Sequence, residues 1–315
     1  MCSMPAILFL TSFFNFSGGQ VKVRDYFRHC LEHPSLEPYL YFTPKFHERY
    51  AGADLWGEIP EGRVVTEVSL ERYQAIFVTA KDWKYLPKHE PLDGKVVINF
   101  HQSLNEVQPD RRAFRYLAKP AVRICTSAEV YAAIAPHMSG VAAVVPAGIP
   151  LDLFGREGAR RPGSVLIWGR KHPELAQRLH DELSARGRDV TLRMTNASRE
   201  EFAALLREHD CFAGCTLPLE GFYLPALEAM ASGCAVVCDD ATGNRGFCID
   251  GETCLLLERD DFEAHVAAVE RVLDDGELRE RLRRQGREVA QRYSLEEERA
   301  RFYDILDAHV LAACA

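Results

Sequence analysis

Short continuous apolar runs alternate with amphipathic stretches along this chain, and the alternation runs through twice. In the first half the apolar runs are Pro5 to Leu10, Ala75 to Thr79, Lys95 to Phe100, Ala121 to Thr126 and Val141 to Val145. They are continuous and rich in β-branched residues, which predicts parallel strands buried on both faces. Gln20 to Glu32 reads as a helix with Val21, Val23, Phe27 and Leu31 apolar, and Gly18-Gly19 read as the loop before it. Ser127 to Ala135 reads as a second helix, with a Ser cap and Glu129 in its first turn. Residues 146–163, rich in Pro, Gly and Arg, break the pattern and read as a linker. The alternation then restarts. Strands are expected at Ser164 to Trp168, Asp189 to Met194, Cys211 to Ala213 and Cys234 to Cys238. Helices are expected at Pro173 to Arg186, Ser198 to His209, Asp261 to Asp274, Gly276 to Tyr293 and Ser294 to Ala313. Repeated βα units imply parallel sheets with right-handed crossovers, and ligands bind such sheets at the C-terminal ends of the strands.

With 315 residues the chain is too long for one ordinary core and suits two α/β domains. A net charge of -8 argues against non-specific binding to nucleic acid, which needs a basic surface. Lys22, Arg24 and Arg28, with Arg111, Arg112 and Arg115, would be the local basic patch; a solvated helix surface is the simpler reading. The ten cysteines form no C-x-x-C pair, so they read as small buried hydrophobes in a reducing compartment, and no metal site is expected. Ala6 to Leu10 is far too short to span a bilayer, and no basic region precedes it; a cytoplasmic protein is expected, in which the sequons at Asn15 and Asn196 carry no consequence. No D-x-D, G-x-G-x-x-G, P-loop, G-x-S-x-G or H-E-x-x-H is present, which leaves no support for a metal-held nucleotide sugar, a dinucleotide enzyme, an NTPase or the corresponding hydrolases.

The chemistry concentrates in residues 220–233. Glu220-Gly221 form a turn, Pro225 stands where a helix would begin, Glu228 lies within it, and Gly233 ends it just before Cys234 to Cys238. A loop, a short helix and a buried strand in that order present a helix N-terminus to an anionic ligand. The amides of Phe222, Tyr223 and Leu224 would face phosphate oxygens or sugar hydroxyls, and Glu228 would accept the O–H bonds of a vicinal diol such as a ribose.

Glu220-Gly221-Phe222-x-Leu224-Pro225-x-x-Glu228-Ala229-Met230-Ala231-x-Gly233 resembles the signature of the retaining glycosyltransferases of glycosyltransferase family 4. The resemblance implies the GT-B fold, two Rossmann-like parallel-sheet domains facing across a cleft. Its expected bounds are 1–150 for an acceptor-binding domain, 151–294 for a nucleotide-sugar donor domain, and 295–315 for a C-terminal helix packing back toward the first. It implies a metal-independent transfer from a nucleoside-diphosphate sugar, UDP- or GDP-linked, to an acceptor hydroxyl with retention, and no cofactor. Glu220 would contact the donor sugar, Glu228 the ribose, and Phe222, Tyr223 and Leu224 the sugar and diphosphate. Arg170 matches the family's basic residue at the leaving diphosphate. The family's second cation falls at Leu175 here, so Lys171 or His172 would replace it. Gly18-Gly19 match the N-terminal glycine loop, and His101 the histidine that contacts the donor sugar. Tyr223 replaces a glycine and would add a side chain to the sugar pocket. Pro146-Ala147-Gly148-Ile149-Pro150 is an altered form of the family's hinge. The acceptor stays open between a polysaccharide, a lipid-linked precursor at a membrane surface, a small metabolite, a protein and a modified nucleobase. A catalytically silent sugar- or nucleotide-binding subunit is the alternative from another class.

Overall fold

The computed structural model describes residues 4–12, 17–43, 56, 59–86, 92, 94–259 and 261–314. Two compact units result: Met1–Pro146 with Glu298–Ala315, and Ala147–Glu297.

The first unit holds a six-stranded parallel sheet. Its strands are β1 (Ala6–Thr11), β2 (Glu37–Phe42), β3 (Ala75–Thr79), β4 (Val96–His101), β5 (Pro120–Cys125) and β6 (Ser139–Val144), in the order β2-β1-β3-β4-β5-β6. Helix α1 (Gly18–Glu32) follows β1 and α2 (Ala128–Ile134) follows β5. Ser127 caps α2, its Oγ accepting the Val130 N–H at 3.2 Å. One face of the sheet is aromatic: Phe9 stacks on Phe77 with centroids 4.5 Å apart, and Phe302 meets Tyr26 edge-on at 4.7 Å. The other face packs Leu8, Leu10, Ile76, Val78 and Trp83.

Three details differ from the sequence reading. Helix α1 starts at Gly18, so the two glycines form its first turn instead of a loop, with Ser17 extended before them. Strand β4 runs on to His101, which pairs in register with Cys125, so this histidine closes the strand where it was expected to follow it. Strand β2 is absent from the sequence reading because Glu37 and Pro38 break the apolar run; it lies at the sheet edge, where a proline costs no ladder bond.

Lys22 is part of neither a basic patch nor a solvated surface. Its Nζ donates to Asp25 Oδ2 at 3.0 Å and to Glu298 Oε2 at 2.5 Å, and all three side chains are at most 2% exposed. His29 Nε2 lies 3.6 Å from the same Glu298 oxygen, and the Tyr303 hydroxyl donates to the His29 carbonyl at 2.8 Å. The C-terminal stretch thus enters the first unit's core through Phe302, Ile305 and Leu306, with a buried ionic cluster beside them.

The second unit opens with a short helix, α3 (Leu151–Phe154), within the expected linker. Its parallel sheet comprises β7 (Arg161–Trp168), β8 (Asp189–Arg193), β9 (His209–Gly214), β10 (Ala235–Asp239) and β11 (Leu255–Leu257), in the order β11-β10-β9-β7-β8. Pro162 and Gly163, expected in the linker, lie within β7, whose register with β9 shifts between Arg161 and Val165. The helices are α4 (Pro173–Ala185), α5 (Arg199–Glu208), α6 (Leu224–Ala231), α7 (Phe262–Asp274) and α8 (Gly276–Ala290). Ser198 and Glu201 form a complete capping box on α5. Helix α9 (Leu295–Leu306) ends the regular structure and is followed by a π turn at Asp307–Leu311. At the start of this unit the Ile149 N–H donates to the Tyr293 carbonyl at 2.8 Å and the Leu295 N–H to the Ile149 carbonyl at 3.2 Å. A side chain on Gly148 would meet the Ser294 carbonyl oxygen at 2.4 Å, so only glycine allows this close pairing. Among the described residues no helix is long and apolar enough to cross a membrane.

The buried cluster yields a stability test. Replacing Lys22 with Met strips Glu298 of its ammonium partner, and losing one member of a buried ion pair costs about 3–5 kcal/mol. Chemical denaturation should show a loss of that size for Lys22→Met; a loss below about 1 kcal/mol would contradict a buried ionic contact.

Candidate active site

In the second unit the chain leaves β7 toward β8 on one side of the sheet and later returns to place β9 on the other. Loops leaving adjacent strands diverge at such a reversal and open a crevice at the C-terminal strand ends. The two loops concerned carry Gly169-Arg170-Lys171-His172 after β7 and Cys215 to Tyr223 after β9.

Gly169 turns the chain tightly into α4: a Cβ there would stand 2.0 Å from the Ala176 Cβ. Arg170 and Lys171 follow, both half-buried, and His172 sits at the helix N-cap with Pro173 first in the helix. Leu175 points into the sheet core with Val165 and Ile167, so that position has no room for a cation. Lys171 instead pairs through Nζ with Glu220 Oε1. The structure therefore brings Arg170, Lys171 and Glu220 to one edge.

Backbone strain marks the loop that carries Glu220. Leu219 has φ +65° and Thr242 has φ +71°. Neither is glycine, and a β-branched residue there is an outlier that surrounding contacts must enforce. Those contacts are present. Glu220 and Thr242 form an isolated parallel bridge, and the Gly243 N–H donates to the Glu220 carbonyl at 3.0 Å. Phe222 packs on Phe247 and Tyr293, with centroids 5.0 and 5.9 Å away.

Helix α6 begins at Leu224, with Tyr223 as N-cap and Pro225 second. Its first backbone bond runs from Ala226 N–H to the Tyr223 carbonyl at 3.2 Å, so the amides of Phe222, Tyr223 and Leu224 precede it, as the opening amides of a helix do. The Tyr223 side chain does not line a sugar pocket. It is 2% exposed and turns into the core over Gly214, where a Cβ would collide with its ring and hydroxyl; the glycine leaves the volume that the tyrosine fills. Glu228 is the one charged residue in α6 and is 7% exposed, on a helix whose Leu224, Ala226, Leu227, Ala229 and Met230 are all buried.

Asp239, at the end of β10, was not singled out from the sequence. Its Oδ2 accepts the Thr216 N–H at 2.9 Å, and its Oδ1 lies 3.0 Å from His265 Nε2. The other ring nitrogen, Nδ1, lies 2.8 Å from the Asp261 carbonyl, so it carries a proton. Burial alone would lower the His265 pKa; the Asp239 carboxylate beside the ring outweighs it and holds the pKa above its usual value. Asp239 thus ties the start of the Glu220 loop to α7. The Asp239-Asp240 pair at a strand end is the signal that could have found it. Beside this edge lies a pocket of about 480 Å³, within the range for small-molecule sites, lined in part by Asp240, Thr242, Arg245, Glu258 and Arg259.

The first unit has its own strand reversal, between β1 and β3. Ser12 Oγ donates to Asp82 Oδ1 at 2.5 Å and Thr79 Oγ1 donates to Asp82 Oδ2 at 2.8 Å, joining the two strand ends. Gly18 and Gly19 start α1 here, and a Cβ on Gly19 would touch Gln102 Oε1 at 3.2 Å. His101 next to it is 1% exposed. Its Nε2 meets Asn99 Oδ1 at 2.9 Å, while its Nδ1 faces Glu106 Oε2 at 3.7 Å and has no hydrogen-bond partner among the described residues. Burial, reinforced by the Arg123 guanidinium, pushes the His101 pKa down to about 3, so the ring is neutral. Burial likewise pushes the Glu106 carboxyl up to about 7.

Residues 161–289 match the family model of glycosyl transferases group 1. The matched stretch lies within the second unit. No curated protein sequence matches the chain. Among solved structures, sucrose-phosphate synthase from Thermosynechococcus elongatus is 18% identical, aligned over 99% of this chain and 100% of that one, with a TM-score of 0.72. Anabaena Alr3699/HepE in complex with UDP-glucose is 14% identical over 96% and 99% of the two chains, with a TM-score of 0.73. A glycosyltransferase from Rickettsia africae is 11% identical over 96% and 98%, with a TM-score of 0.67. The chain therefore has the GT-B fold.

Within the second unit, Arg170, Lys171, Glu220, Glu228 and the amides of Phe222, Tyr223 and Leu224 gather around the ends of β7 and β9. Gly18, Gly19 and His101 belong to the other unit and gather at the ends of β1 and β4.

The raised Glu106 pKa gives a signed pH effect. Between about pH 4.5 and 7 the folded chain holds a proton that the unfolded chain releases, so Glu106 makes stability fall as pH rises through that window. Glu106→Gln should flatten that fall, measured as thermal midpoints from pH 5 to 8. An unchanged slope would contradict a carboxyl titrating near neutrality.

Proposed function

We propose that this protein transfers a sugar from a nucleoside-diphosphate sugar, UDP- or GDP-linked, to an acceptor hydroxyl, with retention and without a metal ion. The observation that carries the reading is the Lys171–Glu220 ion pair across the strand reversal, beside the N-terminus of α6. It puts a cation for phosphate and an acceptor for sugar hydroxyls on one edge, with amides between them. Anabaena Alr3699/HepE, of like fold, has been solved with UDP-glucose, which favours a nucleotide sugar here.

In this reading Glu228 takes the ribose hydroxyls, and the Phe222, Tyr223 and Leu224 amides meet the sugar and diphosphate. Negative charge grows on the departing diphosphate as the glycosidic bond lengthens. Once the donor is bound, Arg170, Lys171 and the helix amides stabilise that charge from positions set before the bond breaks. Lys171 leaves Glu220 for the phosphate when the donor arrives, which frees the carboxylate for a sugar hydroxyl. The departing phosphate oxygen takes the acceptor's proton on the same face of the sugar, so no side-chain nucleophile is assigned. The first domain, 1–150, binds the acceptor, with Gly18 and Gly19 at a phosphate or acceptor group, and its neutral His101 is assigned to the donor sugar.

Two measurements test the assignment. Arg170→Ala should lower turnover by about 10²–10³-fold, as removal of one preorganised donor to a developing anion does; near-normal turnover would refute the leaving-group role. Glu228→Ala should weaken UDP or GDP binding in calorimetry by about 10–160-fold, the equivalent of one charge-assisted hydrogen bond of about 1.5–3 kcal/mol. Unchanged affinity for every nucleotide the wild type binds would remove the ribose role. A catalytically silent subunit would bind nucleotide yet release no nucleoside diphosphate from any donor.

A further inference from the structure

Eight of the nine described cysteines are buried, as small hydrophobes would be, but three of them converge. Cys238 lies on β10, Cys248 in the loop after Asn244, and Cys254 just before β11. Their sulfurs all lie within 4.8 Å of one another, and the Cys238 and Cys248 sulfurs are 3.8 Å apart. No linear spacing announces the group. The turns between the cysteines create it: Cys248 N–H bonds the Asn244 carbonyl at 2.8 Å, and Gly251, at φ +69°, closes the next turn with its N–H on the Cys254 carbonyl at 2.9 Å.

From this convergence we propose that Cys238, Cys248 and Cys254 form a three-thiolate site for a soft monovalent ion of the copper(I) class. A metal–thiolate bond of about 2.3 Å places three sulfurs in a trigonal plane about 4 Å apart, so the sulfurs need move only slightly. Thiolate ligands select soft ions. Structural zinc sites take four ligands, and among the described residues no further Cys, His, Asp or Glu joins this group. The three side chains are at most 2% exposed, so bulk water does not supply a fourth ligand readily. Asn244 Nδ2 lies 3.7 Å from the Cys238 sulfur, where an N–H donor offsets thiolate charge. On binding, each thiol that becomes a thiolate ligand gives its proton to solvent, with no change in oxidation state. The ion would clip β10 to β11 across the connection that also carries Thr242.

The test uses full-length protein with Cys2 and Cys314 replaced by Ser, because Cys314 is exposed and would bind metal on its own. Copper(I) is titrated anaerobically against a colorimetric copper(I) chelator. Stoichiometric retention, X-ray absorption showing only sulfur neighbours at about 2.3 Å, and a thermal midpoint that rises with copper(I) are expected. Cys238→Ala, Cys248→Ala and Cys254→Ala should each abolish retention and the midpoint shift, whereas Cys211→Ala should leave both intact. Circular dichroism of each variant without metal checks that it folds. Copper(I) lost to the chelator, retention that survives all three substitutions, or tight zinc(II) without copper(I) would each overturn the proposal. None of these readouts depends on glycosyl transfer.

Discussion

In a parallel sheet every strand delivers its following loop to the same edge, and where strand order reverses two such loops part. The second unit of this protein depends on that constraint. Because β8 lies on one side of β7 and β9 on the other, the loop bearing Arg170 and Lys171 and the loop bearing Glu220 emerge side by side from neighbouring strands. Their ion pair is a consequence of topology first and of side-chain chemistry second. The start of α6 then adds backbone amides at the same edge, so cationic, anionic and dipolar groups meet there.

Holding that edge in place is costly, and the cost is visible in the backbone. Leu219 and Thr242 both adopt left-handed conformations on either side of the bridge that joins the Glu220 loop to the turn after β10. Each such residue costs on the order of 1–3 kcal/mol, and the packing around it must supply the difference. Here the Phe222–Phe247–Tyr293 cluster and the Asp239 contacts to Thr216 and His265 do so. Gly243 is part of the same device, since a Cβ would strike the Gly221 carbonyl oxygen at 2.2 Å.

Charge is handled differently in the first unit. Lys22, Asp25 and Glu298 form an ionic cluster beside an aromatic core, and Glu298 comes from the far end of the chain. Dispersion and apolar burial by Phe302 and Ile305 bring the C-terminal segment to α1, and the ionic contacts then admit few alternative registers. A charge misplaced by one helical step would be buried without a partner, which is far less favourable than a lost surface pair. His101 shows the complementary solution, a buried ring kept neutral by its surroundings.

Sequence alone determined the local and periodic features. Continuous apolar runs identified nine of the eleven strands among the described residues, at least in outline, and Ser127 and Ser198 marked their helix starts through a cap that acts over three residues. The segment from Glu220 to Gly233 was legible because its turn, helix and strand lie within one βα connection. The edge strands β2 and β11 were not: Glu37 and Pro38 open the first with a charge and a proline, and the second is only three residues long. Tertiary structure decided everything that depends on residues distant along the chain. It turned Lys22 inward to meet Glu298, filled the Leu175 position with core packing, sent the Tyr223 ring over Gly214, and brought three unremarkable cysteines together. Periodicity reports which face of an element is buried; only the folded sheet determines what lies against that face.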